Sequence, residues 1–352
     1  LNTKYFRFFF HKIFNWEYWP QALVYAPIIP VYLYYACKAR SLFFGVAANP
    51  DMENGGYIME SKFAIYKQLP QSLVPKTICI AVAKNFEEVR KQLEASGIGY
   101  PFFCKPDIGG KGRGVSKIEN ENQLQQYNKK AGLVYLIQQE IPYKNEIGIF
   151  YCRLPDASAG FITGIAGKKN MEVTGNGTNT LQQLIEAVPR YYFQRSYLFK
   201  KYASKLLTIL PDGKKIILSE VGNHARGSTF ADLTYCNNVK LEALIDRVSK
   251  TYNTFYFGRY DIKFNSWEDL YAGKNFMLVE LNGCGSEPIH IYDPNKKIWQ
   301  AWKIIMQHWK LMYIIAMQHH KKAVSYLPLK QIRELQRQQK EIILKAVKMQ
   351  EC

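Results

Sequence analysis

Two apolar strands that end in charge constrain this chain more than any other feature of its 352 residues. At the two-residue period of a strand, Phe257-Gly-Arg-Tyr-Asp-Ile-Lys-Phe264 places Arg259, Asp261 and Lys263 on one face. Phe276-Met-Leu-Val-Glu-Leu-Asn282 places Glu280 and Asn282 together near its C-terminal end. Side by side, the two strands gather Asp261, Glu280 and Asn282 into a set of hard oxygen donors. Such a set suits one or two Mg2+ ions bridging nucleotide phosphates, with Arg259 and Lys263 balancing the charge. Unrelated solvated charges on a strand face produce the same alternation, so the reading needs a phosphate-binding partner elsewhere in the chain.

That partner is Phe102-Phe-Cys-Lys-Pro-Asp-Ile-Gly-Gly-Lys-Gly-Arg-Gly-Val115. Gly109, Gly110, Gly112 and Gly114 let backbone N–H groups approach phosphate oxygens, and Lys105, Lys111 and Arg113 add positive charge. The segment is neither a Walker A loop nor a Rossmann fingerprint, and a glycine-rich turn by itself is also an ordinary hairpin connection. Its neighbourhood favours the phosphate reading. A helix over 61–69 leads to a strand from Thr77, and Asn85 opens a helix that stops at Gly97. Strands over 100–105 and 114–118, a helix over 121–130 and a strand over 134–139 complete an αβ lobe. A further polar cluster, from Glu220 to Asp232, offers His224 and Arg226, the latter as an anion clamp. The turn over 173–178 reads as a tight connection.

Seven scattered cysteines without a C-x-x-C pair argue against a zinc site and a disulfide framework, and favour reduced thiols in a cytoplasmic setting. The net charge of +18 is uneven, and the stretch from Lys296 onward holds half of the excess. Basic surfaces attract phosphates of any kind. No RNP-like or helix-turn-helix pattern appears, so nucleic acid is not the expected partner.

In this order the pieces resemble the ATP-grasp superfamily, and more closely its carboxylate–amine ligases such as D-alanine–D-alanine ligase. The carrying motifs are FFCKP, DIGGKGRGV, LIQQEIPYKNEIGIF, GRYDIKF and VELNG, with Ser61-Lys62, a helix and Val-Pro-Lys-Thr77 as the lead-in; together they cover roughly residues 55 to 295. The resemblance implies an α/β (α+β) fold of two lobes, binding ATP and one or two Mg2+, with Mn2+ as a substitute. It implies that Lys105 contacts the nucleotide phosphates under a mobile loop from Gly109 to Gly114. Gln138, Gln139, Glu140 and Ile141 then form the hinge that reads adenine, and Glu146 accepts from the ribose hydroxyls. Arg259 steadies the transferred phosphoryl group, Arg226 and His224 assist at the substrate, and Asp261, Glu280 and Asn282 hold the metal. The reaction implied is activation of a small-molecule or lipid-linked carboxylate as an acyl phosphate and its joining to an amine. Transfer to a thiol or phosphoryl acceptor, or an inert grasp on a basic binding protein, remain the alternatives.

The organisation expected is an aromatic N-terminal segment over 1–60, a small lobe over 61–140, a large lobe with the metal site over 141–295 and a basic helical extension over 296–352. Relatives carry a full α/β domain before the grasp, and the first 60 residues here do not alternate that way. Ser41 to Ala47 reads as a remnant strand of such a domain, with Asn54, Gly55, Gly56 and Glu60 at the substrate entrance. No signal-peptide pattern is visible. The twenty uncharged residues between Glu17 and Lys38 are long enough to span a bilayer, but Pro27 and Pro30, with Tyr25, Tyr32, Tyr34 and Tyr35, favour an interface contact or packing on the core. Beyond Pro328 a helix alternates apolar and cationic faces. The two ends together are therefore expected to hold the protein on the inner, anionic face of a membrane. The oligomeric state is left open.

Overall fold

The computed structural model describes residues 3–82, 85–218, 228–252 and 254–349. The chain begins with α1 (Thr3–Phe14), α2 (Gln21–Tyr25) and α3 (Ile29–Ala39). Pro27 lies in the 3-10 turn that joins α2 to α3, and Pro30 sits at the start of α3, where a missing N–H costs nothing. The expected remnant strand over 41–47 is instead a 3-10 helix at Phe44–Ala48. Its small residues Gly45, Ala47 and Ala48 are buried against a long C-terminal helix, leaving no room for a paired strand.

The small lobe follows. α4 (Lys62–Gln68) starts where the Ser61 side chain accepts from the Ala64 N–H. β1 (Thr77–Ile80) leads to α5 (Phe86–Ser96), capped by Asn85 and ended at Gly97. β2 (Phe102–Pro106), β3 (Ser116–Ile118), α6 (Glu121–Lys130) and β4 (Tyr135–Gln139) complete an antiparallel sheet in the order β1-β4-β2-β3. Val89, Leu93, Leu124 and Tyr127 press the two longer helices onto its core.

The large lobe is built on β5 (Asn145–Cys152) and β6 (Phe161–Lys169). A satellite unit interrupts it: β7 (Glu172–Thr174), α7 (Leu181–Ala187), α8 (Pro189–Tyr192), α9 (Arg195–Lys201) and β8 (Lys215–Ile217) enclose their own small core around Leu181, Ile185 and Leu198. Thus the turn expected at 173–178 is part of an inserted unit. β9 (Thr229–Asp232), α10 (Val239–Thr251), β10 (Phe257–Phe264), α11 (Trp267–Tyr271) and β11 (Phe276–Asn282) return to the main sheet, whose order is β11-β10-β5-β6-β9, all antiparallel. One sheet face buries Ile147, Ile149, Ile165, Tyr260 and Ile262 under α10. Alternation leaves the charged residues of the same strands on the other face.

α12 (Ile298–Lys321) then packs on α3 and the Phe44–Ala48 turn, and α13 (Leu329–Lys348) reaches the small lobe, where Ala346 and Met349 join its core. The last helix is therefore a docked element with one apolar stripe, while Lys330, Arg333, Arg337, Lys340, Lys345 and Lys348 stay exposed. The N-terminal segment is fixed as well. Glu17 forms a buried ion pair with Arg190 of the satellite unit, and Trp302 Nε1 donates to the Val24 carbonyl at 2.8 Å.

Candidate active site between the lobes

Register assembles the floor of the site. Asp261 stands opposite Glu280 on one side and Gly148 on the other, and Arg259 stands opposite Asn282. One step along, Lys263 pairs with Glu146 across β10–β5. Directly opposed residues share a face, so these side chains converge on one surface. All but Gly148 line a cleft of about 760 Å³, within the range of small-molecule sites.

Charge is tightly organised there. Arg259 Nε donates to Asp261 Oδ1 at 3.0 Å, and its Nη1 reaches the Glu287 carbonyl at 3.0 Å. Lys168, from the end of β6, contacts Glu146 Oε1 at 2.8 Å and Asp261 Oδ2 at 3.1 Å. Burial pushes the Asp261 carboxyl up, but Arg259 and Lys168 outweigh it and hold the group below the ordinary carboxylate range. Burial likewise pulls Lys168 down, and Asp261 with Glu146 more than offsets that.

The glycine segment forms the opposite wall. Gly109 to Arg113 line the cleft, and Gly109 (φ 139°) and Gly112 (φ 67°) take backbone conformations that side chains disfavour. Lys62 ties this wall to the floor. Its Nζ donates to the Gly109 carbonyl and lies 3.5 Å from Glu280 Oε1. Lys105 is buried, donating to Tyr66 Oη at 2.7 Å and Gln138 Oε1 at 2.8 Å. Burial pushes its ammonium down to about 8, against the pull of Glu280 and Asp107.

Several expected residues take other roles. Glu140 turns away to pair with Lys117 at 2.9 Å and does not line the cleft. Gly114 is also off the cleft wall: it packs on Pro106 and α13, and its carbonyl accepts from Tyr127 Oη at 2.7 Å. Gln138 and Gln139 do line it, but their backbones are paired in the sheet, and the Gln138 amide serves Lys105 and Thr77. The strand ladder ends at Gln139, so Glu140 and Ile141 lie just beyond it, and Ile141 lines the cleft. His224 and Arg226 lie outside the described residues. At the entrance, Gly56 and Glu60 line the cleft, whereas Gly55 and Asn54 face the protein: a Cβ on Gly55 would strike the Val46 carbonyl, and the Asn54 amide bonds Ile58.

Reading the sequence missed Lys168, Tyr66 and Glu287. Glu287 accepts from Gln21 at 2.8 Å and from Tyr25, which brings the N-terminal segment to the cleft wall. Glu17, Trp19 and Gln21 line the cleft beside it.

Among the described residues no group of three or more His, Cys, Asp or Glu side chains could hold a metal by itself. The donor set nevertheless fits Mg2+, which takes one or two carboxylates and leaves its other positions to phosphates and water. Asp261 and Glu280 oppose each other beside Asn282, whose amide oxygen is a further hard donor and whose buried amide nitrogen, without a hydrogen-bond partner, suits a phosphate oxygen.

No family profile and no curated protein matches the chain. Solved structures do. The D-alanine–D-alanine ligase of Bacillus anthracis is 13% identical, with 75% of this chain and 69% of that one covered at a TM-score of 0.42. The D-Ala:D-Ser ligase of Enterococcus faecalis is 13% identical over 73% and 64%, with a TM-score of 0.42. A bifunctional glutathione synthetase of Pasteurella multocida is 13% identical over 73% of this chain and only 38% of its own length, with a TM-score of 0.39. The ATP-grasp ligase PsnB is 12% identical over 72% of this chain and 59% of that one, with a TM-score of 0.38.

Proposed function

We propose that the chain is an ATP- and Mg2+-dependent ligase that activates a carboxylate as an acyl phosphate and joins it to an amine. The observation that supports this reading is a single cleft with a glycine-rich wall carrying Lys62 and Lys105 on one side. Arg259, Asp261, Glu280 and Asn282 stand on the other.

A carboxylate is a poor electrophile because its leaving group would be oxide. In the proposed reaction a carboxylate oxygen attacks the γ-phosphorus and ADP leaves. The amine nitrogen then attacks the acyl carbon, phosphate leaves and the nitrogen loses a proton. Such transfer needs positioning and charge neutralisation rather than covalent help. The loop from Gly109 to Arg113 offers backbone N–H groups to the phosphates, and Lys105 offers a cation from a dry pocket. Arg259, held by Asp261, is oriented to meet the charge that develops on the transferred phosphoryl group. Asp261, Glu280 and Asn282 would hold Mg2+, which supplies neutralising charge at the phosphates.

The test is a screen of amino acids and acyl carboxylates, paired with amines, for ADP release, followed by product mass. Carboxylate-dependent ADP release with a product of carboxylate plus amine minus water supports the reading. ADP release that ignores added carboxylate, or no nucleotide binding, overturns it.

A further inference from the structure

Among the described residues, nothing covers much of the outer face of the N-terminal helices. α1 turns Phe8 inward, 4.6 Å from the Tyr192 ring, and leaves Phe6, Phe9, Phe10, Ile13 and Phe14 outward, the last 79% exposed. The segment from α2 to α3 lies along α12, with Tyr32 on Trp309 (5.2 Å) and Tyr35 on Tyr313 (5.0 Å). Its far side exposes Leu23, Ile29, Leu33 and Tyr34, and from Gln21 to Arg40 the exposed charges are Lys38 and Arg40 alone.

By length and composition Gln21–Ala39 could cross a membrane, yet only 22% of it is buried and one side is stapled to α12. A core helix would be mostly covered, and a spanning helix could not keep that lateral contact. An apolar strip lying flat on the exterior matches the interfacial layer of a bilayer instead.

Charge selects among the occupants. The chain carries +18, so a second copy would bring the same excess charge to the contact. Lys12, Lys38 and Arg40 flank the strip, and α13 starts beside its end: Pro328 and Leu329 border the same groove as Cys37 and Arg40. The exposed Lys330 and Arg333 follow directly.

We propose that the protein docks on an anionic lipid bilayer through the outer faces of α1 and α2–α3, with Lys38, Arg40 and the start of α13 at the headgroups. Trp19 and Gln21 belong to the same stretch and line the cleft, so docking sets the cleft mouth beside the lipid surface.

The test is flotation of the full chain with phosphatidylglycerol-rich vesicles and with pure phosphatidylcholine vesicles, at low and high salt. Binding is expected to the anionic vesicles, weakened by salt. Phe9→Ser with Phe10→Ser should lower the partition coefficient about tenfold or more, because two ring surfaces leave the interface. Lys38→Glu with Arg40→Glu should weaken binding to anionic vesicles only. All four side chains are exposed, so circular dichroism should match the parent. A chain left unbound by anionic vesicles at low salt overturns the proposal. So does a Phe variant that binds like the parent, or a dimer that needs Phe9 and Phe10 and ignores vesicles. None of these readouts depends on ligase activity.

Discussion

Lys105 carries a cost that its proposed role at the nucleotide phosphates explains. Its ammonium is buried and pushed down to about 8 from an ordinary value of 10.5. Between those values the unfolded chain binds more protons than the folded one, so stability rises with pH across that window and is lost as pH falls through about 8. A bound triphosphate reverses the preference and favours the charged form. Binding of ATP near pH 8 should therefore take up protons, and affinity should fall as pH rises further. Calorimetry in two buffers of different ionisation enthalpy measures the uptake, and identical heats in both would refute the role. Lys105→Ala should weaken ATP about ten- to a hundredfold, the worth of one charge-assisted contact. Asp261 and Glu280 look equivalent in the sequence and differ in the fold. Glu280 is partly exposed beside Lys62, whereas Asp261 is buried between Arg259 and Lys168. Glu280→Gln should keep its melting midpoint and lose Mg2+-dependent turnover. Asp261→Asn should lose turnover and also about 3–5 kcal/mol of stability, because Arg259, mostly buried, loses its ion-pair partner and Lys168 keeps only Glu146. Denaturant unfolding separates the two variants, and equal stability would show that Asp261 is not what holds those cations.

At the scale of elements, the readable parts were those with a local signature. The alternation of β10 and the Glu-Asn end of β11 are written in adjacent residues, and the caps Ser61 and Asn85 mark helices where they occur. Lys168 carries no such mark, because its place opposite Glu146 depends on the β5–β6 register. The satellite unit was equally hidden, since its apolar residues bury one another and leave no long periodic stretch. Least visible was the joint between the N-terminal segment and the turn after β11. Gly56 and Gly283 meet there backbone to backbone, and the Cys284 and Gly285 N–H groups donate to Gly55 and Gly56 at 3.0 and 2.9 Å. A Cβ on Gly56, at φ +70°, would sit 2.5 Å from the Gly283 Cα. Gly56→Ala should therefore cost about 1–3 kcal/mol in chemical denaturation and disturb Asn282 next door. An unchanged unfolding midpoint would mean that the turn shifts freely.

Across the whole molecule, the polar contacts that join the lobes near the cleft include Lys62 to Glu280, Tyr66 to the Val279 carbonyl and the Leu278 N–H to the Leu73 carbonyl at 2.7 Å. A ligand that touches both walls adds contacts that neither lobe supplies alone. Nucleotide with Mg2+ should then stabilise the protein as a unit, by about 2.7 kcal/mol at a hundredfold excess over Kd. For a chain of this length that is an upward shift of several degrees in the melting midpoint. The metal should matter chiefly through the floor. ATP without Mg2+ meets Lys62, Lys105 and the glycine wall but faces the Asp261 and Glu280 carboxylates uncompensated, so its shift should be smaller. Glu280→Gln should abolish the Mg2+ increment and spare the metal-free shift, while Lys105→Ala should reduce both. Differential scanning fluorimetry of the three proteins, with and without Mg2+, distinguishes these patterns. If Glu280→Gln keeps the full Mg2+ increment, the metal sits elsewhere and the floor of the cleft serves only as a set of internal ion pairs.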